Sequence, residues 1–392
     1  MKKFFFPLIC AVLFLSLSAC KGNPEEPIVP NPEEPTLSYK DIRLSQMDSI
    51  GWYWQKDWPA EFTEPLATVS TDPIRLHFFG WNLEEDSLIH LTFPDSTEQY
   101  GRVWLTYRMG GWNQGPAEWD MTTMIKIYDK QHDQWLELVR AITPYGGSFG
   151  DAWEKYFYID VTEFLPLLKG DVDLRIFYCG WDATSERAHT AKLTFSFYGG
   201  RNPYGEPMGW QKIYDSTLPN EGGNGYRAWS YGVQGWSIED ESRLGNRTID
   251  VPAGTSTVLL RVCITGHGQD AYNGKGYFPN RSNTRANSCA EFDKNHYTIS
   301  LNGEPMKPQG YIWELNGSTH NYSQAGTYHY NRGGWGPGKP CNVQHWVIGK
   351  IPAEGEQITI NFDLEEYVSP CTKPNDDKVA CYYVMTDAFF FR

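Results

Sequence analysis

Lys192-Leu193-Thr194-Phe195-Ser196-Phe197-Tyr198 alternates polar and apolar side chains without a break. A period of two is the pattern of a strand with one face in a core and the other in water. The same style recurs in Ser87–Phe93, Arg102–Arg108, Met124–Tyr128 and Lys155–Val161, and again in Tyr297–Leu301, Gln357–Leu364 and Cys381–Phe391. Gly, Pro, Asn and Asp break these runs at short intervals, as antiparallel sheets require. Only Thr162–Leu168 reads as helical, and Pro166 limits it to a couple of turns. The fold class is therefore all-β, with sandwiches of the jelly-roll kind.

Outward from that stretch, Gly199-Gly200-Arg201-Asn202-Pro203-Tyr204-Gly205 is a cluster of turn-formers between strand runs. It places a boundary between a first sandwich over 74–203 and a second over 204–392, with a groove between them as the natural ligand site. Residues 38–73 hold Trp52, Trp54 and Trp58 with little alternation. They read either as an extension on the first sandwich or as a separate lid.

The N-terminus reads as an export signal. Lys2 and Lys3 precede the apolar run Phe4–Leu17, and Leu17-Ser18-Ala19-Cys20 follows. That ending resembles a bacterial lipobox, which implies removal of 1–19 and a lipid on Cys20. Asn23-Pro24-Glu25-Glu26-Pro27 is repeated as Asn31-Pro32-Glu33-Glu34-Pro35. Such Pro/Glu sequence stays extended, so 20–37 reads as a tether. The expected localisation is the outer membrane, on its periplasmic or cell-surface face.

Composition narrows the partners. The chain of 392 residues carries formal charge −14, and loss of Lys2 and Lys3 makes it more negative still. That balance without a basic run argues against nucleic acid. Sixteen Trp, 24 Tyr and 20 Phe supply many flat stacking faces. With Cys10 in the signal and Cys20 lipidated, six cysteines remain, an even number compatible with disulfides in an exported chain. Cys371 and Cys381 flank a Pro-Asn-Asp turn and are the first expected pair, whereas Cys263 lies in an apolar run and reads equally as core. Neither C-x-x-C nor H-E-x-x-H occurs, so no metal site is expected. Gly146-Gly147-Ser148-Phe149-Gly150 satisfies G-x-S-x-G, but a nucleophile elbow needs a strand before it and a helix after it. The expectation there is a plain loop.

Three segments gather sugar-processing chemistry. Ala117-Glu118-Trp119-Asp120 ends a Gly-rich loop, Gly110–Pro116, and starts a strand. Asn287-Ser288-Cys289-Ala290-Glu291-Phe292 carries a second carboxylate. Asn331-Arg332-Gly333-Gly334-Trp335 adds an Arg and a Trp among glycines. Together they offer carboxylates, a guanidinium and indole faces.

With Trp135-Leu136-Glu137, Ile142-Thr143-Pro144-Tyr145, Ile159–Phe164, Leu174-Arg175-Ile176 and Ile264-Thr265-Gly266-His267-Gly268, the order of these motifs resembles the peptide:N-glycosidase F family over 74–392. The resemblance implies two adjacent eight-stranded antiparallel jelly rolls with the site between them. It implies hydrolysis of the amide joining an Asn side chain to the first N-acetylglucosamine of an N-glycan. The products would be an Asp and a glycosylamine, with no cofactor and no metal. The implied partners are N-linked glycoproteins or glycopeptides, acted on by a monomeric chain. By similarity Asp120 activates water, Glu291 orients the substrate at the scissile amide, and Arg332 is a charged donor near the same point. Trp119, Trp181, Phe292 and Trp335 would line the sugar cleft, and His267 would lie beside it in an open role. Where the family's best-known member has a third carboxylate in Thr-Glu-Thr-Trp, this chain reads Tyr178-Cys179-Gly180-Trp181. The small Cys179-Gly180 pair either cripples turnover, leaving a non-catalytic glycan-binding lipoprotein, or makes room for a core α1,3-linked fucose.

Overall fold

A computed structural model describes residues 54–55, 64–76, 85–179, 186–215, 229–230, 244–267, 271–272, 275–276, 291, 295–306, 309–313, 322–328, 330, 332–348, 357–364 and 381–392. What the sequence predicts for 1–19, Cys20 and the tether, for Gly180, Trp181 and Phe292, and for the Cys371–Cys381 pair lies outside these residues. So does the side chain of Cys179, whose backbone ends a strand.

The principal strands are β1 (Glu85–Thr92), β2 (Arg102–Asn113), β3 (Thr122–Asp129), β4 (Gln134–Ile142), β5 (Glu154–Asp160), β6 (Asp171–Cys179), β7 (Arg187–Tyr198), β8 (Pro207–Asp215), β9 (Thr257–His267), β10 (Asn295–Leu301), β11 (Gln344–Ile348), β12 (Gln357–Leu364) and β13 (Cys381–Phe391). All recorded pairings are antiparallel, and the Thr162–Leu167 segment is a single 3-10 helix. The expected all-β class is therefore observed.

The first sheet runs β5-β2-β7, extended by Trp54–Gln55 on β5 and by Ala67–Ser70 and Ile74–Leu76 on β7. The described parts of the N-terminal segment are thus edge strands. The second sheet runs β4-β3-β6-β1, the third β8-β13-β9-β11, and the fourth centres on β12-β10. One difference from the sequence reading concerns Gly110-Gly111-Trp112-Asn113, expected as loop. These residues continue β2 and pair with Arg187–Thr190 of β7. Missing side chains let Gly111 come so close to Gly115 that an added Cβ would lie 2.8 Å from its carbonyl carbon.

Alternation decides which core each strand feeds. On β7, Leu193, Phe195 and Phe197 enter the core between the first and second sheets. On β9, Val258, Leu260, Val262 and Ile264 enter the core of the later part of the chain. Leu259 and Cys263 of the same strand join the first core instead. β13 divides likewise, with Val384, Ala388 and Phe390 on one side and Met385, Phe389 and Phe391 on the other. The third sheet is thus covered on both faces. That coverage explains the nearly continuous apolar run Val258–Ile264.

Arg261 interrupts that run and is fully buried. Its guanidinium reaches the second sheet, donating to the carbonyls of Glu137 and Leu138, each at 2.9 Å. Its Nε lies 3.3 Å from Glu163, which also lies 3.4 Å from His345. Arg140 of β4 points the other way. It pairs with Glu137 at 2.9 Å and donates to Thr265 Oγ1 at 2.7 Å and to the Tyr383 carbonyl at 3.0 Å. Each sheet therefore buries an arginine that reaches hydrogen-bond acceptors on the facing sheet, besides a carboxylate partner nearby. Cys263 and Cys341 are buried free thiols in this layer, and burial raises the Cys263 pKa to about 11.

Replacing Arg261 with Met leaves Glu163 buried without its cation and two carbonyls without donors. Such a break costs about 3–5 kcal/mol, and we expect that loss in denaturant unfolding followed by tryptophan fluorescence.

Candidate active site

The site is assembled at the C-terminal end of β4. The β3–β4 register places Thr122 opposite Ile142, so Trp119-Asp120-Met121 runs beside Thr143-Pro144-Tyr145. Thr143 fixes both flanks of Asp120. Its hydroxyl accepts from Met121 N at 2.8 Å and donates to the Trp119 carbonyl at 3.2 Å, and its amide donates to the Met121 carbonyl at 2.9 Å. The preceding loop is braced by Arg187. That guanidinium donates to the carbonyls of Pro116, Gln114, Gly146 and Phe149 at 2.6–3.0 Å. The G-x-S-x-G segment is thereby accounted for. Gly146–Ser148 is one 3-10 turn without a following α-helix, and it supports the loop that leads to Asp120.

Arg332 arrives from the later part of the chain. Gly338 N donates to the Ile142 carbonyl at 2.9 Å, and Lys339–Pro340 pairs with the end of β4. On the other side, Gly266 N donates to Gly333 O at 2.8 Å, and Trp335 Nε1 donates to Gly266 O at 2.6 Å. Gly334 has φ +80°, and an added Cβ would lie 2.3 Å from the Ile264 carbonyl oxygen. A glycine is required there. Glu291 joins through its carbonyl, which accepts from Gly333 N at 2.7 Å.

The structure brings Asp120, Glu291 and Arg332 together. Arg332 Nη2 lies 3.8 Å from Asp120 Oδ2, and Nε lies 3.4 Å from Glu291 Oε1. The guanidinium is fully buried, while the two carboxylates keep 13% and 18% exposure, so the anionic side opens toward solvent. Its Nη1 donates to the carbonyls of Thr327 (2.9 Å) and Tyr330 (3.1 Å). Its Nη2 donates to Thr327 Oγ1 (2.9 Å) and Tyr145 Oη (3.3 Å). The fork expected to offer itself to a substrate oxygen is instead engaged by the protein, and Arg332 acts on the site as a fixed charge.

That charge does not offset the burial of Asp120. Burial pushes the Asp120 pKa up to about 7, helped by the like charge of Glu291, against the pull of Arg332 and a hydrogen bond from Tyr145. An acid poised there changes between proton acceptor and donor near neutral pH. Tyr145 is held well above its ordinary value by burial and by the Asp120 charge, and so remains a proton donor.

The indoles separate into two kinds. Trp119 is 48% exposed beside Asp120 and offers a face to a ligand. Trp335 does not, in contrast to the expectation from sequence. It is 3% exposed, with the Arg332 guanidinium 4.8 Å over its ring and His267 stacked at 5.4 Å. It forms a floor under the cation. His267 bonds Thr265 Oγ1 at 2.7 Å, and burial, reinforced by the Arg140 charge, pulls its pKa down to about 3. It is a neutral packing ring. Sequence reasoning passed over Tyr145 as a site residue and missed Thr327 altogether. Tyr145 had a signal, its place two residues after Thr143 in a quoted segment, and Thr327 had none. Among the described residues no group of His, Cys, Asp and Glu is arranged to hold a metal ion.

Comparison with known proteins completes the description. A family model described as peptide-N-glycosidase F, C terminal, matches residues 238–387. The chain is 24% identical over 282 residues to the peptide-N(4)-(N-acetyl-beta-D-glucosaminyl)asparagine amidase F of Elizabethkingia miricola, spanning 71% of this chain and 72% of that protein. A crystal structure of peptide-N(4)-(N-acetyl-beta-D-glucosaminyl)asparagine amidase aligns with TM-score 0.63 at 20% identity, covering 83% of this chain and 95% of that one. PNGase F from Flavobacterium meningosepticum, described as a glycosylasparaginase, gives TM-score 0.63 at 20% identity over 83% and 96%. The structural likeness carries the fold, and the matched domain model and the relative add a likeness in sequence. The chain is thus similar to the peptide-N-glycosidase F family, through the domain model matched over 238–387 and through the relative aligned over 282 residues.

Proposed function

We propose that the protein is a peptide:N-glycosidase, an amidase acting on the bond between an Asn side chain and N-acetylglucosamine in glycoproteins or glycopeptides. The observation that carries this reading is the Asp120–Arg332–Glu291 cluster, in which a carboxylate titrating near neutrality stands beside an exposed indole. The amidase named for the relative supports the same bond as the target.

In this reading ionised Asp120 takes a proton from a water molecule as that water attacks the side-chain amide carbon. The C–N bond then breaks, the proton passes to the departing nitrogen, and the products are an Asp and a glycosylamine. Glu291 orients the amide, and Trp119 packs on a sugar face. The Cys179-Gly180 pair, small where a relative carries a carboxylate, extends the proposal to core α1,3-fucosylated substrates. The lipobox and the Pro/Glu segment extend it to an outer-membrane lipoprotein.

Incubation with a defined N-glycopeptide in heavy-oxygen water tests the reaction. One labelled oxygen in a new Asp is expected, whereas binding without product across several glycan types means a glycan-binding protein instead. Asp120→Asn should lower kcat by roughly a hundred- to ten-thousand-fold while leaving the melting temperature near that of the wild type.

The pH dependence follows from the raised acid. Because the base is the deprotonated form, kcat/KM should climb through about pH 7 rather than near pH 4. Glu291 holds the Asp120 pKa up by like-charge repulsion, so Glu291→Gln should move that limb to lower pH, whatever it does to the maximum. An unmoved limb means that the titrating group is not Asp120.

A further inference from the structure

The segment 324–327, met so far only where Thr327 holds Arg332, also grips Tyr145 from three sides. Gln324 Oε1 accepts from Tyr145 N at 3.0 Å, while its Nε2 donates to the Pro337 carbonyl at 2.8 Å. Gly326, at φ +66°, lies so close to the Tyr145 ring that an added Cβ would stand 2.7 Å from it. Thr327 Oγ1 is 2.9 Å from the Tyr145 hydroxyl. Thr327 also meets Arg332 twice, through its carbonyl at Nη1 and its hydroxyl at Nη2, both at 2.9 Å.

Counting protons gives these bonds a direction. Arg332 Nη2 can only donate, so it occupies one lone pair of Thr327 Oγ1 and leaves the threonine proton to be placed. Tyr145 Oη also accepts from Arg332 Nη2 at 3.3 Å, so its single proton is left to turn toward the Asp120 carboxylate, whose pKa a hydrogen bond from Tyr145 lowers. The Tyr145 oxygen must then accept from Thr327. We propose that Thr327 is a positioning residue of this site: its hydroxyl donates to Tyr145, which turns the tyrosine proton onto the ionised Asp120, while its carbonyl and hydroxyl together lock the Arg332 fork. The sequence of donors Thr327 to Tyr145 to Asp120 is one-way, because Arg332 closes the far end. Chains of this kind polarise along their length, so loss of the first donor weakens the last.

The inference rests on the amidase reading only for its bearing on catalysis, and it is tested without substrate. The Asp120 titration is followed by carboxylate infrared difference spectroscopy in the free full-length protein, with Asp120→Asn identifying the band. Thr327→Val keeps the shape and removes the hydroxyl, and it should move the Asp120 midpoint upward by about half a pH unit or more. Thr327→Ser should restore the wild-type midpoint. In a Tyr145→Phe background the valine change should shift the midpoint less than it does alone, leaving only what passes through Arg332. A midpoint unchanged or lowered by Thr327→Val, or one shifted additively in the Tyr145→Phe background, overturns the proposal. So does a fall in melting temperature with titration intact, which marks a merely structural contact. If Thr327→Val does not fold, Thr327→Ala is read the same way. With glycopeptide, the kcat limb should follow the infrared midpoint. Intact titration behaviour in a wild-type protein that releases no glycan would refute the amidase reading and leave this assignment standing.

Discussion

Two guanidinium groups crossing a buried layer hold the rest of the molecule in register. Arg261 leaves β9 to satisfy carbonyls of β4, and Arg140 leaves β4 to satisfy Thr265 on β9 and a carbonyl on β13. Apolar packing between two sheets tolerates sliding, because it has little directional preference. A buried cation whose acceptors are backbone oxygens at fixed positions does not, since any shift strands it in a medium that cannot solvate it. The ends of β4 and β9 are where Asp120, Tyr145 and Arg332 meet, so the accuracy of the site derives from this layer. Geometry at the carboxylates is inherited from arginines that never touch them.

The same economy governs the site. Arg332 is buried, stacked on Trp335 and ringed by acceptors, so its charge is immobile. A mobile cation would follow the nearer carboxylate and lower its pKa. One held 3.8 Å from Asp120 and 3.4 Å from Glu291 leaves the burial of Asp120 as the dominant influence. Trp335 and His267 serve that immobility from below, whereas Trp119 remains on the open side. Residues that looked alike in the chain, a Trp beside an acid and a Trp beside an Arg, thus have opposite exposure.

Much of the fold was legible because alternation is a local signal. Lys192–Tyr198, Tyr297–Leu301, Gln357–Leu364 and Cys381–Phe391 all lie within strands, and the short Thr162 helix is where Pro166 allowed it. The signal failed where both faces are covered, as in Val258–Ile264, and where glycines make a strand look like a loop, as at Gly110-Gly111. In the site, Asp120, Glu291 and Arg332 were legible as charges in Gly-rich surroundings. What each of them does was less so. The exposure of Trp335 depends on a cation more than sixty residues from the His that covers its other face, and Thr327 joins the nearby Arg332 to Tyr145, which is far away along the chain. Spacing carries no trace of such contacts.

The pairing of Lys339–Pro340 with β4 has a consequence for how the chain is made. β4 ends at Ile142, so the second sheet has an incomplete edge until nearly two hundred further residues have been synthesised. An open strand edge is a template for wrong partners. The early part of this protein therefore passes through a state in which its sheet is formed but unguarded. The segment that closes it is the one that delivers Arg332, so the edge is covered and the active-site charge installed in the same event. A nascent chain arrested before residue 340 should be sticky as well as inert, because one segment both covers the edge and carries the charge.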